Sequence, residues 1–127
     1  MKLASNNDND EQLQYYRLPG EVSLSEAALE YAREFAEALS ATGPSSKWLV
    51  SIDWGIARST QYPDGTVEDH GPGLNLGGDR RERYPAAALH DGSGFQFAVA
   101  IPNEVLDASE KRLIDYDPSV FGNLIVR

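Results

Sequence analysis

Over residues 95–101 apolar side chains fall at every second position, with Phe95, Phe97, Val99 and Ile101 in one set and Gln96, Ala98 and Ala100 in the other. A period of two puts each set on its own face of a strand, so this segment belongs in a sheet covered on at least one side. Pro102 ends it, because proline has no N–H to give to a ladder. The competing periodicity lies upstream, where Leu24, Ala28, Tyr31, Phe35 and Leu39 recur at helical spacing and Glu30, Arg33, Glu34 and Glu37 occupy the opposite side. Ser23 and Glu26 have the S-x-x-E spacing of a capping box, with Val22 before them as a staple residue, which predicts a helix start there. Thr42, Gly43 and Pro44 predict its end. The aromatic residues of the stripe read as core.

The remaining segments read as short strands. Trp48, Val50 and Ile52 alternate with Leu49, Ser51 and Asp53, which predicts a strand over 47–53 with Trp48 in the core and Trp54 partly exposed at its end. Residues 56–62 are its expected return strand, Pro63-Asp64-Gly65 is turn chemistry, and 66–68 begins the next strand. The glycine-rich stretch 69–79 is expected to carry no continuous regular structure, with Leu74 and Leu76 pairing briefly. It lacks both G-x-G-x-x-G and G-x-x-x-x-G-K-[ST], so a structural turn is favoured over a phosphate cradle. Residues 84–90 are predicted to form a strand that meets 95–101 across Asp91-Gly92-Ser93-Gly94. One or two helical turns over 103–110 and short strands at 112–116 and 121–126 close the chain. One long helix and six to eight short strands predict a mainly β domain over 14–127, the helix covering an open sheet or half barrel. Residues 14–18 offer a short edge strand or arm. The polar run 4–12 has nothing to bury, so 1–13 is expected to be a disordered tail.

Composition narrows the chemistry. The 127 residues contain no cysteine, which removes disulfides, thiolate nucleophiles and thiolate-held zinc or iron–sulfur clusters. Twenty acidic residues against 11 basic ones give a net charge of −9. Apart from Arg80, Arg81 and Arg83 no basic cluster offers a surface for phosphates, so nucleic acid is a poor partner and the charge reads as solubility. No apolar run approaches the roughly 20 residues of a membrane span or the length of a signal peptide core. The expected location is the cytoplasm, with no membrane contact.

VSLSEAALEYAREF at 22–35 with the strand that follows it, the EVL-x-x-S run from Glu104 to Ser109, and the triplet Ile114-Asp115-Tyr116 resemble the HesB-like domain, the fold of A-type iron–sulfur cluster carriers. The resemblance spans about 22–126 and implies a pseudo-barrel of short strands covered by an N-terminal helix. Carriers of that family hold metal through one cysteine near the end of the early strand region and a C-x-C pair after the IDY triplet. Here those places read SIDWGIARS and FGNLIVR. The resemblance therefore implies a cysteine-free relative that keeps the scaffold without the cluster.

Of the remaining candidates, Trp54 and Arg58 could form a stacking surface for a partner. Asp115 is either a partner contact or a turn carboxylate accepting backbone amides near Pro118. A rival reading, a metal-dependent or acid–base enzyme, rests on His70 with Asp69 and Glu68, and on His90 with Asp91 and Ser93. Neighbouring D-H and H-D pairs alternate sides on a strand, and D-G-S-G lacks the G-x-S-x-G elbow. The favoured expectation is a non-catalytic accessory or interaction module with no cofactor, binding an unidentified protein or a second copy of itself through exposed strand edges.

Overall fold

The computed structural model describes residues 16–41 and 47–127. Its long helix, α1 (Glu26–Ala41), begins two residues later than the capping-box spacing implies. Ser25 Oγ accepts the Ala28 N–H at 3.1 Å and the Ser25 carbonyl accepts the Leu29 N–H at 2.9 Å, so Ser25 is the cap. Ser23 is instead part of β1 (Ser23–Leu24), which runs parallel to β8 (Leu113–Tyr116). The Ser23 amide donates to the Arg112 carbonyl at 3.1 Å, so the group a capping box would use is committed to a ladder. Along α1, Ala28 and Ala32 are fully buried, with Tyr31, Phe35 and Leu39 packed beside them. Arg33 bridges Glu30 and Glu37 on the exposed side, as the stripe requires. The predicted stop at Thr42, Gly43 and Pro44 lies outside the described residues, as does the expected tail at 1–13.

Beneath α1 lies a four-stranded sheet in the order β5 (Gly73–Arg80), β2 (Trp48–Gly55), β7 (Gln96–Ala100), β6 (Leu89–Asp91). β2 is antiparallel to β5 from Trp48↔Arg80 to Gly55↔Gly73 and parallel to β7 from Val50↔Phe97 to Asp53↔Ala100. The β6–β7 hairpin closes where expected, the Gly92 N–H meeting the Phe95 carbonyl at 2.7 Å. Val50, Ile52, Phe97 and Val99 form the core with α1. On the other face Tyr84 covers Leu49 and Ala98, joined by Tyr16 and Leu89. With both faces covered, four consecutive residues from Leu49 to Ile52 are buried, a pattern usual in central strands.

Three strand expectations are corrected. The glycine-rich stretch does carry regular structure: β5 runs eight residues through it, because β2 supplies a partner along its whole length. A Cβ at Gly78 would come within 2.8 Å of Leu39 Cδ2, so the missing side chain lets α1 approach the sheet. Residues 84–90 are not one strand; 3₁₀ turns at Arg81–Arg83 and Ala86–Ala88 carry Tyr84 over the second face, and only Leu89–Asp91 pairs. The return strand at 56–62 does not pair with β2 either. β3 (Ser59–Gln61) and β4 (Val67–Asp69) make a separate two-stranded ribbon around the Pro63-Asp64-Gly65 turn.

β8 pairs antiparallel with β9 (Leu124–Val126) to complete a three-stranded sheet, and a short helix α2 (Asn103–Asp107) follows Pro102. From the expected arm at 14–18, Tyr16 makes one bridge to Ala100 and the Arg17 N–H donates to the Val99 carbonyl at 2.8 Å. The chain is thus a mixed α/β structure with more strand than helix, nine strands among the described residues rather than six to eight, and no closed barrel. No helix among the described residues is long and apolar enough to cross a membrane.

Candidate functional site

Where β2 ends, the chain turns outward into the ribbon, and Arg58 holds the junction. Its Nε donates to the Gly71 carbonyl at 3.0 Å, Nη1 to the carbonyls of Leu74 (3.0 Å) and Phe121 (2.9 Å), and Nη2 to that of Pro72 (3.2 Å). The guanidinium carbon also sits 5.2 Å from the centre of the Phe121 ring. Glycine makes this socket possible. A Cβ at Gly73 would lie 2.1 Å from Arg58 Nη2, and one at Gly122 would lie 2.6 Å from the Leu74 carbonyl oxygen. The glycines at these places therefore cradle a guanidinium rather than a phosphate.

The His70 ring stacks on Phe121 with centroids 3.8 Å apart and planes 5° from parallel, and its Nε2 lies 2.7 Å from Thr60 Oγ1. Below these groups opens a cleft of about 510 Å³. Trp54, Arg58, His70 and Phe121 line one part, and Leu74, Val105, Val120, Leu124 and Val126 much of the rest. No Asp or Glu lines it among the described residues. The volume lies within the range of ligand pockets, and the walls suit an apolar group held by shape and ring contact.

The ribbon above the cleft is exposed. No β3 or β4 residue is buried, and Ile56 (81 % exposed), Val67 (62 %), Tyr62 and Phe121 place large apolar side chains in water on or beside it. His70 donates its amide to the Arg58 carbonyl, and Tyr62 its amide to that of Thr66, so bonding alternates inward at 58, 60, 62, 66, 68 and 70. The N–H and C=O groups of Ser59, Gln61, Val67 and Asp69 consequently point outward along two strand edges.

Trp54 and Arg58 both line one cleft, and Arg58 spends its donors on carbonyls rather than presenting them to a partner. Trp54 is partly buried and packs against the main core. Trp48, expected in the core, is 37 % exposed and is corrected here: it stands at the first position of β2, beyond the strip that α1 covers. Asp115 is not part of the cleft. It accepts Arg127 Nε at 2.7 Å and the Tyr116 amide, and bonds with Ser25, Arg127 and Tyr116 hold its carboxyl below the usual range. The turn carboxylate near Pro118 is Asp117, which accepts the Ser119 amide at 3.0 Å.

The rival histidines are not brought together. Asp69 accepts the Gly71 amide at 3.0 Å instead of orienting His70. His90 is not a solvated turn residue: it is buried in β6, stacks on Phe97, and its Nε2 donates to the Arg17 carbonyl at 2.9 Å. Asp91 is engaged by Gln96 Nε2. No group of three metal-ligating side chains occurs among the described residues.

One polar arrangement went unread in the sequence. On the sheet face away from α1, Ser51 Oγ donates to Asp53 Oδ2 and is hydrogen-bonded to the Tyr84 hydroxyl. Burial raises the Asp53 carboxyl and pushes the Tyr84 hydroxyl up to about 12. Strand alternation gives Ser51 and Asp53 a shared face, but the arrival of Tyr84 depends on the two 3₁₀ turns. Against known protein families, characterised proteins and solved structures, the chain finds no match.

Proposed function

We propose that this protein is a non-catalytic accessory module that binds another protein through the β3–β4 ribbon and the cleft beneath it. The observation that carries this reading is the ribbon itself: a two-stranded hairpin with free edges and water-exposed Ile56, Val67 and Tyr62, fixed to the body by Arg58. An isolated hairpin gains little from burial, whereas one clamped in place is preorganised to accept a partner strand. The cleft beside it offers Trp54 and Phe121 as apolar walls for a side chain from that partner.

The scaffold is proposed to be a HesB-like one without the carrier cysteines. Support comes from where the resembling residues sit: the 22–35 stretch leads into α1 and then β2, the Glu104–Ser109 run covers most of α2, and Ile114-Asp115-Tyr116 lies in β8. A cytoplasmic setting fits the same reading. A homodimer with paired ribbon edges is the second form of it, favoured by the unpaired groups of Val67 and Asp69.

A photo-crosslinking residue at Val67, introduced into the full chain in its native cell, tests the proposal. One discrete adduct is expected, absent when the crosslinker is moved to Lys111 and lost on Ile56→Asp with Trp54→Ala. Mass spectrometry of that adduct separates a second copy from a different protein. A crosslinking pattern indifferent to those substitutions would remove the ribbon from the binding surface.

A further inference from the structure

The two edges of the β3–β4 ribbon differ in chemistry. The β3 edge turns outward the backbone groups of Ser59 and Gln61, both neutral residues, whereas the β4 edge turns outward those of Val67 and Asp69, with Glu68 between them. No Lys or Arg occurs between Arg58 and Arg80 in the sequence, while Asp64, Glu68, Asp69 and Asp79 all fall there. The first three are exposed, and among the described residues their carboxylates accept neutral donors: the Thr66 amide and hydroxyl at 3.0 and 2.7 Å, the Tyr62 hydroxyl at 2.6 Å and the Gly71 amide at 3.0 Å. Such bonds orient a carboxylate and leave its charge in place. Arg58, at the foot of the ribbon, directs its donors to the carbonyls of Gly71, Pro72, Leu74 and Phe121 instead.

A strand laid antiparallel along β4 exchanges both backbone bonds with Val67 and with Asp69, and Glu68 then stands at the non-hydrogen-bonded position, where facing side chains come closest. Opposite charges directly across a ladder stabilise it and like charges oppose it. Given the ribbon as the binding surface, we propose that its partner is a basic extended segment that adds antiparallel to β4. Read in the partner's own direction, the residues facing Asp69, Glu68 and Val67 are basic, basic and apolar. The backbone bonds of an added strand are indifferent to sequence, so the carboxylates and Val67 supply the selectivity. A net charge of −9 also draws a cationic segment toward the chain. Pairing with a second copy about Glu68 would set two carboxylates against each other, which favours a different protein over the dimer at this edge.

The test is a titration of the full-length ¹⁵N-labelled protein with three end-blocked, threonine-rich peptides that differ only at a central Lys-Arg-Val, its reverse Val-Arg-Lys, or the neutral Thr-Thr-Val. The Lys-Arg-Val peptide is expected to shift the backbone amide signals of Val67 and Asp69 saturably while those of Ser59 and Gln61 stay in place. The reversed and neutral peptides are each expected to bind several-fold more weakly. Glu68→Gln with Asp69→Asn, both at exposed positions and both keeping an acceptor oxygen, is expected to weaken Lys-Arg-Val binding by about fivefold or more while the spectrum keeps its dispersion. The proposal is overturned by unmoved Val67 and Asp69 signals, by shifts at Ser59 and Gln61 in their place, by a control peptide binding as well as Lys-Arg-Val, or by full affinity in the double variant. Any of these beside a Val67 crosslink that still depends on Ile56 and Trp54 removes the basic partner alone; loss of that dependence removes the ribbon reading itself.

Discussion

Replacing Arg58 by alanine should unfold the ribbon's anchorage and lower the stability of the whole chain. The side chain makes four hydrogen bonds to carbonyls of two separate stretches, Gly71, Pro72 and Leu74 in one and Phe121 in the other. The two partly buried ones, to Gly71 and Leu74, are the ones water cannot readily replace, and a charged donor contributes about 1.5 kcal/mol or more to each. The ring contact with Phe121 adds about 0.5–1 kcal/mol. A loss of roughly 3–4 kcal/mol follows, a large share of the 5–15 kcal/mol typical of a domain. For a chain of this size it corresponds to a fall in Tm of about 10–15 °C. Arg58→Lys should recover less than half, since an ammonium can reach one carbonyl but cannot fork between several. Calorimetry or urea unfolding measures the loss, and hydrogen exchange at the His70 amide, which bonds to the Arg58 carbonyl, reports where it is felt. If Arg58→Ala melts within about 2 °C of the parent, as an exposed surface arginine would, the socket argument fails.

Other outcomes follow from the same geometry. Gly122 has φ +86° and faces the Leu74 carbonyl, so Gly122→Ala should cost about 2 kcal/mol or more in chemical denaturation, whereas a substitution at open Gly65 should be limited to its backbone strain. Ser25→Ala should lower stability by about 1 kcal/mol through the lost cap, and Ser23→Ala should leave the melting curve nearly unchanged; the reverse ranking would restore the capping box at Ser23. Burial raises the Asp53 carboxyl in the folded state, so its ionisation weakens the fold as pH rises from the ordinary carboxylate value through the raised one, and the deficit persists at neutrality. Asp53→Asn should therefore raise Tm at pH 7 and lose that advantage near pH ~3. Asp115 has the opposite sign: its depressed value means stability present at neutrality and lost as pH falls, so Asp115→Asn should lower Tm at pH 7 with the difference closing in acid.

Much of the architecture was legible because its signals are local. The stripe from Ala28 to Leu39 fixed the buried side of α1, the alternation at 95–101 fixed β7, and the glycine turn between them and β6 closed as its composition suggested. The errors occurred where a distant partner outweighed a local preference. β8 drew Ser23 into a parallel pair and moved the helix cap to Ser25. β2 drew a glycine-rich segment into an eight-residue strand, since a complete ladder outweighs weak intrinsic β preference. That Trp54 and Arg58 lie near one another was legible because the indole and the guanidinium are close along the chain. Phe121, Leu74 and Val105, which complete the cleft, come from segments that no spacing rule connects.

The two tryptophans show what periodicity can and cannot decide. Trp48, Val50, Ile52 and Trp54 share one face of β2, so alternation treats the two indoles alike. Their surroundings differ because the strand continues past its cover at one end, while at the other the ribbon junction and the loop carrying Phe121 close over it. The six residue steps between them span roughly 20 Å at strand rise, more than one small ligand bridges. The cleft at Trp54 and the exposed end of β2 at Trp48 are therefore separate surfaces, held in fixed relation by the β2–β5 pair. A partner strand seated on the ribbon would leave Lys47, Trp48 and Arg80 exposed at the far end of β2 and β5. The β2–β5 pair runs from one surface to the other, and the central β2 residues Val50, Ser51 and Ile52 are buried and leave little room for a second arrangement.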